Sequence, residues 1–280
     1  DEGLTKGLIK AVDELESGHY SGMVIYSDGP HFSPGANLNM MKKAIELEEV
    51  DTLIGKTISE LHEAVNRVRY SSKPIVTAVR GRALGGGAEL MLASPYVVAA
   101  AESYIGLVEV GVGLIPGGGG LAELTERVMT RDEQKASKMK TLGAVITRIA
   151  SGDVSMSAYE ARRKYYLRGS DDIIMNADKV VNVAIEKLTY LTKVNYIQRT
   201  KVNFPALGTN FKAVVEGQLD SMRLGHFISD YDMELGLAIA DVMTGGELPE
   251  GTYVNQEWLQ HLEKQHFLKL SKNQKTFERI

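Results

Sequence analysis

Leu4, Leu8, Ile9, Val12 and Leu15 recur at helical spacing and predict a helix at the very start of the chain. Met23-Val24-Ile25-Tyr26 is then an unbroken apolar run closed by Ser27-Asp28-Gly29-Pro30, which reads as a buried strand and its loop. The charged, Met-rich stretch 39–52 predicts a further helix, and Ile58, Leu61, Val65 and Val68 mark an amphipathic one after it. Lys73-Pro74 ends that helix, and Ile75-Val76-Thr77-Ala78-Val79 reads as a second buried strand. A glycine triplet, an apolar helix from about Gly86 to Ala93 and a strand-like run from Tyr96 to Ala101 follow. Strand and helix alternating at this rhythm imply an α/β layer with parallel pairing.

Beyond about residue 120 the strand signals vanish. Segments 121–142, 157–166, 178–194, 210–245 and 255–271 predict helices, with Gly and Pro punctuation at 204–208 and 245–251. Residues 210–245 carry an apolar stripe that includes Phe211, Val215, Leu219, Leu224, Phe227, Leu235 and Ile239. Helices of this size gain stability mainly by burying such a face, so the stripe is expected to pack on a core or on another copy of the chain.

Composition narrows the function classes. Of 280 residues, 44% are apolar, and 32 Lys and Arg stand against 36 Asp and Glu, a net charge of −4. That balance excludes a strongly basic nucleic-acid binder. Residues 1–130 carry 17 acidic and 11 basic side chains, whereas 131–280 carry 19 and 21. An acidic front and a weakly basic helical back are thus distinguished. No run approaches the ~18 apolar residues of a membrane span, so no membrane span is expected. No basic-then-apolar leader opens the chain, so no signal peptide is expected. The absence of cysteine excludes disulfides, thiolate metal sites and a cysteine nucleophile, and suits a cytoplasmic enzyme.

The densest punctuation is Gly81-Arg82-Ala83-Leu84-Gly85-Gly86-Gly87-Ala88-Glu89, directly after the second strand. Consecutive glycines permit positive φ and close approach of a ligand, and they stand where a helix should begin, with its free N–H groups facing outward. A developing oxyanion is one suitable guest; a tight turn without a ligand is the other reading. The loop His31-Phe32-Ser33-Pro34-Gly35-Ala36-Asn37-Leu38 follows the first strand. Parallel strands end at one edge, where ligands bind, so loops 33–37 and 85–87 are each able to present an N–H to the same oxygen. Glu89 lies in the first turn of an apolar helix and Glu109 in Gly106-Leu107-Val108-Glu109-Val110-Gly111-Val112-Gly113. A carboxylate in such surroundings is costly unless paired or functional. Two neighbouring ones would split their titrations into an acid and a base; alternatively each pairs with an arginine such as Arg82 or caps a helix. Pro116 and Gly117 to Gly120 do not fit a phosphate loop, and no glycine cluster has dinucleotide spacing. His62-Glu63-Ala64-Val65-Asn66 lacks the second histidine of a zinc motif, so no metal site is expected and His62 reads as a helix-surface residue. Tyr253 and Trp258 read as packing anchors.

Phe32-Ser33-Pro34-Gly35-Ala36-Asn37-Leu38, Lys73-Pro74-Ile75-Val76-Thr77-Ala78-Val79-Arg80-Gly81, Ala83-Leu84-Gly85-Gly86-Gly87-Ala88-Glu89-Leu90 and the stretch from Gly106 to Gly120 together resemble the crotonase, or enoyl-CoA hydratase/isomerase, superfamily. The pieces come in family order over roughly residues 20–125, and Ser157-Ala158-Tyr159-Glu160-Ala161 extends them. The wording around Glu109 and the ending from Trp258 to Leu268 resemble one branch, bacterial two-part β-oxidation proteins with an NAD-dependent 3-hydroxyacyl-CoA dehydrogenase first and a crotonase region last. The missing initiator Met agrees with this chain being the second part.

The resemblance implies an α/β fold with a crotonase-like ββα spiral core followed by an α-helical C-terminal region. It divides the chain into a core at 1–130 without the family's usual first strand, an insertion and post-core helices at 131–192, and additional helices at 193–280. It also implies hydration of a 2-enoyl-CoA, with Glu89 and Glu109 holding the water at the family separation of 20 positions. Glu109 is favoured as the acid. Oxyanion-hole N–H groups fall on Ala36 and Gly86, flanked by Gly35, Leu84, Gly85 and Gly87 against the substrate. Acyl-CoA is the implied partner, as are the dehydrogenase part and further copies of the chain. No cofactor is implied here, NAD serving only the dehydrogenase part. The rival roles are a double-bond isomerase and a non-catalytic assembly domain.

Overall fold

The computed structural model describes residues 2–35, 38–47 and 49–280. In chain order it runs α1 (Glu2–Ser17), β1 (Met23–Ile25), α2 (Leu38–Glu46), a π turn (Val50–Ile54), α3 (Gly55–Arg69), β2 (Ile75–Val79), β3 (Arg82–Leu84), α4 (Gly86–Ala93), β4 (Tyr96–Ala100), β5 (Tyr104–Gly106) and a 3-10 turn (Glu109–Val112). There follow α5 (Gly120–Met129), α6 (Lys135–Ala150), α7 (Ala158–Arg163), β6 (Asp172–Ile174), a second 3-10 turn (Ala177–Lys179), α8 (Val180–Lys193), β7 (Phe204–Pro205), α9 (Gly208–Leu224), α10 (Asp230–Thr244), β8 (Tyr253–Val254), α11 (Gln256–Ser271) and α12 (Gln274–Arg279). These elements form two compact units, one of residues 1–36, 59–107 and 154–201, the other of 37–58, 108–153 and 202–280. The units interleave along the chain, unlike the consecutive segments 1–130, 131–192 and 193–280 drawn from the sequence.

The first unit is built on a parallel sheet of order β1-β2-β4-β6. Its central strand β2 is buried throughout, which explains an apolar run without alternation. The pleat still sorts its side chains. Val76 and Ala78 pack with Val98 and Ala100 against Val180, Ala184 and Leu191 of α8. Ile75, on the opposite face, packs with Val12 and Leu15 of α1, Val68 of α3 and Leu90 of α4. Lys73 ties the end of α1 to the turn before β2, its Nζ donating to the carbonyls of Leu15, Gly18 and Tyr20 at 2.8, 2.9 and 2.8 Å. A cation at a helix C-terminus is favourably placed. A smaller parallel pair, β3 with β5, leaves the edge where the glycine triplet begins.

The absence of strands after residue 120 is corrected: β6 joins β4, and β7 pairs with β8. Each is two or three residues long, too short for periodicity to register, and β6 forms because β4 offers an open edge. The first strand ends at Ile25, one residue earlier than the apolar run.

The second unit is helical, with α10 packed against α5, α6 and α9 and α5 against α11. The span 121–142 is two helices and not one. Thr130 to Lys135 contain no apolar residue to bury, and the chain turns there before α6. The span 210–245 is likewise split, because His226 adopts φ +59° and Ser229 starts α10 with a reciprocal cap on Asp232. Of the apolar stripe, Phe211, Val215, Leu219, Leu235 and Ile239 are buried, while Leu224 and Phe227 at the break are exposed. Tyr253 is not a packing anchor: it is 72% exposed, since the two-residue strand turns Val254 inward instead. Trp258 is partly exposed and donates its indole N–H to the Gly245 carbonyl at 3.0 Å. His62 is half-buried on α3, not a plain surface residue. Among the described residues no helix is long and apolar enough to cross a membrane.

Candidate functional site

The loop after β1 and the triplet after β3 meet within the first unit. Ser33 donates its N–H to the Arg82 carbonyl at 2.9 Å and its own carbonyl accepts from the Leu84 N–H at 3.0 Å, bridging to Ala83 as an extra parallel rung. Gly87 lies directly beneath it. A Cβ on Gly87 would fall 2.4 Å from Ser33 Cβ, so only glycine lets the loop close on the helix. Gly87→Ala is therefore expected to lower stability by about 1–3 kcal/mol, the usual cost of overpacking, read as a lower denaturant midpoint. Gly35, at φ +119°, donates its N–H to Ser33 Oγ at 3.4 Å. Ala36, the expected first oxyanion donor, lies outside the described residues.

Gly85 adopts φ 53° and ψ −130°, a conformation open to glycine alone, with its N–H held by the Gly106 carbonyl at 2.9 Å. That kink turns β3 into α4. Gly86 and Gly87 are the first two helical residues, so their N–H groups have no acceptor within the helix. The first intrahelical bond runs from the Glu89 N–H to the Gly85 carbonyl at 3.0 Å. Gly85 and Gly87 are buried, whereas Gly86 retains exposure, as does Leu84 before the kink. A Cβ on Gly86 would meet only Glu89 Oε2, at 4.0 Å. The carboxyl of Glu89, itself 2% exposed, thus folds back over the first turn of its own helix beside the open side of Gly86. The helix N-terminus favours a negative charge there.

Glu109 belongs to the second unit. It opens the 3-10 turn after Val108, which closes on Gly113 in the left-handed conformation, φ 75°. The residue is half-buried, yet its Oε2 is shut off from solvent and has no hydrogen-bond partner among the described residues. Burial first, and then the negative charge of Glu263, raise its pKa to about 7, with the N–H groups of Glu109 and Val108 only partly opposing them. Glu109 is therefore poised to exchange a proton near neutrality.

The carboxylate that acts on Glu109 is thus Glu263, a residue that motif reading passed over within Leu262-Glu263. It is fully buried on α11 and accepts the N–H groups of Gly119 and Ala122 at 2.8 Å each. The residue before α5 is Gly119, which has no side chain to cap the helix, so α11 supplies the cap across 144 residues of chain. The family-like Ser157 has an ordinary capping role, its side chain accepting the Glu160 N–H at 3.1 Å.

The profile of the family described as Enoyl-CoA hydratase/isomerase matches residues 1–149. A Bacillus subtilis protein named "Probable 3-hydroxyacyl-CoA dehydrogenase" is 36% identical over 277 residues, 97% of this chain and 34% of that protein. The chain thus spans about a third of that relative's length. The mitochondrial methylglutaconyl-CoA hydratase of Mus musculus is 29% identical over 218 residues, 69% of this chain and 68% of that one. The crystal structure of an enoyl-CoA hydratase from Bacillus halodurans superposes with a TM-score of 0.63 at 15% identity, covering 100% of this chain and 88% of that one, a likeness of fold alone. The α/β core with C-terminal helices expected from the sequence is the fold observed, and the chain belongs to the enoyl-CoA hydratase/isomerase family, the crotonase superfamily.

Proposed function

We propose that the chain hydrates a 2-enoyl-CoA to the 3-hydroxyacyl-CoA in fatty acid β-oxidation. It would act as one part of a longer protein that also carries an NAD-dependent 3-hydroxyacyl-CoA dehydrogenase part. The observation that carries the reading is Glu109, a desolvated carboxyl with an oxygen unpartnered among the described residues and a pKa of about 7, and the sequence resemblance puts the acid at this position. The thioester oxygen accepts N–H bonds from Gly86 and Ala36, which strengthen as enolate charge develops. Water adds across the double bond. One glutamate takes a proton from the water as its oxygen bonds to the β-carbon, and the other delivers a proton to the α-carbon, with Glu109 in the donating role and Glu89 as the base. The name of the Bacillus subtilis relative supports the dehydrogenase part.

The test is to mix the chain with crotonyl-CoA and follow the enoyl-thioester absorbance. Loss of the band with formation of the 3-hydroxy product is the expected result. An unchanged band at high protein concentration, with the chain folded, overturns the reading in favour of an assembly domain. Interconversion of 2- and 3-enoyl thioesters without hydration overturns it in favour of an isomerase.

A further inference from the structure

We infer that Tyr231 and Thr276 are positioning residues for Glu109, holding the carbonyl of Gly113, the residue at the end of its turn, from two helices of the C-terminal region. The inference rests on the reading of Glu109 as a proton donor. The turn from Glu109 to Gly113 is closed by short local bonds, Gly113 N–H to the Val110 carbonyl and Leu114 N–H to that of Glu109, both at 3.1 Å. Such 3-10 turns have poor hydrogen-bond geometry and need outside support. Here the support converges on the Gly113 carbonyl. Tyr231 Oη of α10 lies 3.0 Å from it and Thr276 Oγ1 of α12 lies 2.8 Å from it, while the two hydroxyls contact each other. Thr276 Oγ1 also lies 2.7 Å from the Leu270 carbonyl. Each hydroxyl has one proton, and the Leu270 carbonyl also accepts the Asn273 N–H at 2.9 Å, so it is the Gly113 carbonyl that depends on this pair and loses one of its two hydroxyl donors when either is removed. Both side chains are buried, at 3% and 0% exposure.

Shape reinforces the hydrogen bonds. A Cβ on Gly113 would stand 3.0 Å from Thr276 Cα, 3.2 Å from the Tyr231 ring and 3.3 Å from Arg279 Cδ, so the turn lies flush against both helices. At its other end Arg279 Nη1 donates to the Val110 carbonyl at 3.3 Å while bound to Asp232 at 2.8 Å. Charged groups on the elements around the turn include Lys275, Glu278 and Arg279 on α12, Asp230, Asp232, Glu234 and Asp241 on α10, Glu263 on α11, and Arg148 with Asp153 beside Gly152, where an added Cβ would touch Val110. Neither hydroxyl carries charge at neutral pH, so their effect on Glu109 is exerted through the place and burial of its carboxyl.

The test compares Thr276→Val, Tyr231→Phe and Thr276→Ser in the full chain. Two quantities are read: kcat against KM for crotonyl-CoA, and the Glu109 carboxyl titration by carbon-13 NMR, assigned by its loss in Glu109→Gln. Thr276→Val and Tyr231→Phe are each expected to lower kcat about 10- to 100-fold with KM within about twofold, because small misplacement of a reacting group is costly. The Glu109 titration midpoint should move down by about one pH unit as water reaches the carboxyl. Thr276→Ser, which keeps the hydroxyl, should restore both. A lower Tm with unchanged midpoint and unchanged kcat in Thr276→Val and Tyr231→Phe overturns the inference while leaving the hydratase reading intact. Should the wild-type chain hydrate nothing, that reading fails and the titration alone decides this one. Should Thr276→Val not fold, Tyr231→Phe decides.

Discussion

Glu109→Gln is expected to cut hydration by about 10²–10⁴-fold, the usual contribution of a general acid–base group, while making the protein more stable above neutral pH. The two effects share one cause. Burial holds the Glu109 pKa at about 7, above the 4.5 of an ordinary glutamate. Between those values the folded chain keeps a proton that the unfolded chain has released. Stability from this group is therefore complete below about pH 4.5 and is lost as pH rises through about 7. The loss is of order 3–4 kcal/mol, because each tenfold change in proton affinity is worth about 1.4 kcal/mol. Glutamine cannot ionise and escapes it. Denaturant midpoints of the two proteins should lie close at pH 5 and separate at pH 8, with the variant higher. Parallel midpoints at both pH values would mean that Glu109 is not held neutral by burial. Near-wild-type turnover in both Glu109→Gln and Glu89→Gln would remove the carboxylates from the mechanism. A carboxyl kept protonated in an apolar turn costs stability above neutral pH, the kind of cost a functional site carries.

The second large effect concerns a single N–H. Gly86→Pro is expected to reduce kcat/KM by about 10²–10³-fold, the cost of one oxyanion donor, with little change in Tm. Proline normally breaks helices, but Gly86 is the first residue of α4, where proline is well tolerated and no intrahelical bond is lost. Its side is open, with only the Glu89 carboxyl near an added Cβ. The preceding Gly85, at φ 53° and ψ −130°, is the mirror image of the extended conformation that residues before proline adopt, which an achiral residue accepts equally well. The experiment pairs the crotonyl-CoA assay with circular dichroism. A folded Gly86→Pro protein with full activity would exclude this N–H from the site.

What the sequence determined by itself was local. Short apolar runs flanked by turn residues placed β1, β2 and β4 nearly to the residue, and the triplet placed the start of α4, because burial on both faces and glycine's backbone freedom leave direct marks in a few consecutive residues. Motif order identified the family and directed attention to Glu89, Gly86 and Glu109. The tertiary structure decided whatever depends on partners far along the chain. Strand β6 exists because β4 has a free edge, and the helix breaks at 130–134 and 225–229 follow from packing and capping. Glu263, whose charge acts on Glu109, lies 154 positions away and carries no motif of its own. Tyr231 and Thr276, 118 and 163 positions from Gly113, read in the sequence as ordinary helix residues. Desolvation and hydrogen bonding act through space, so the residues that set a carboxyl's proton affinity and hold its turn became visible only once the C-terminal helices were seen against it.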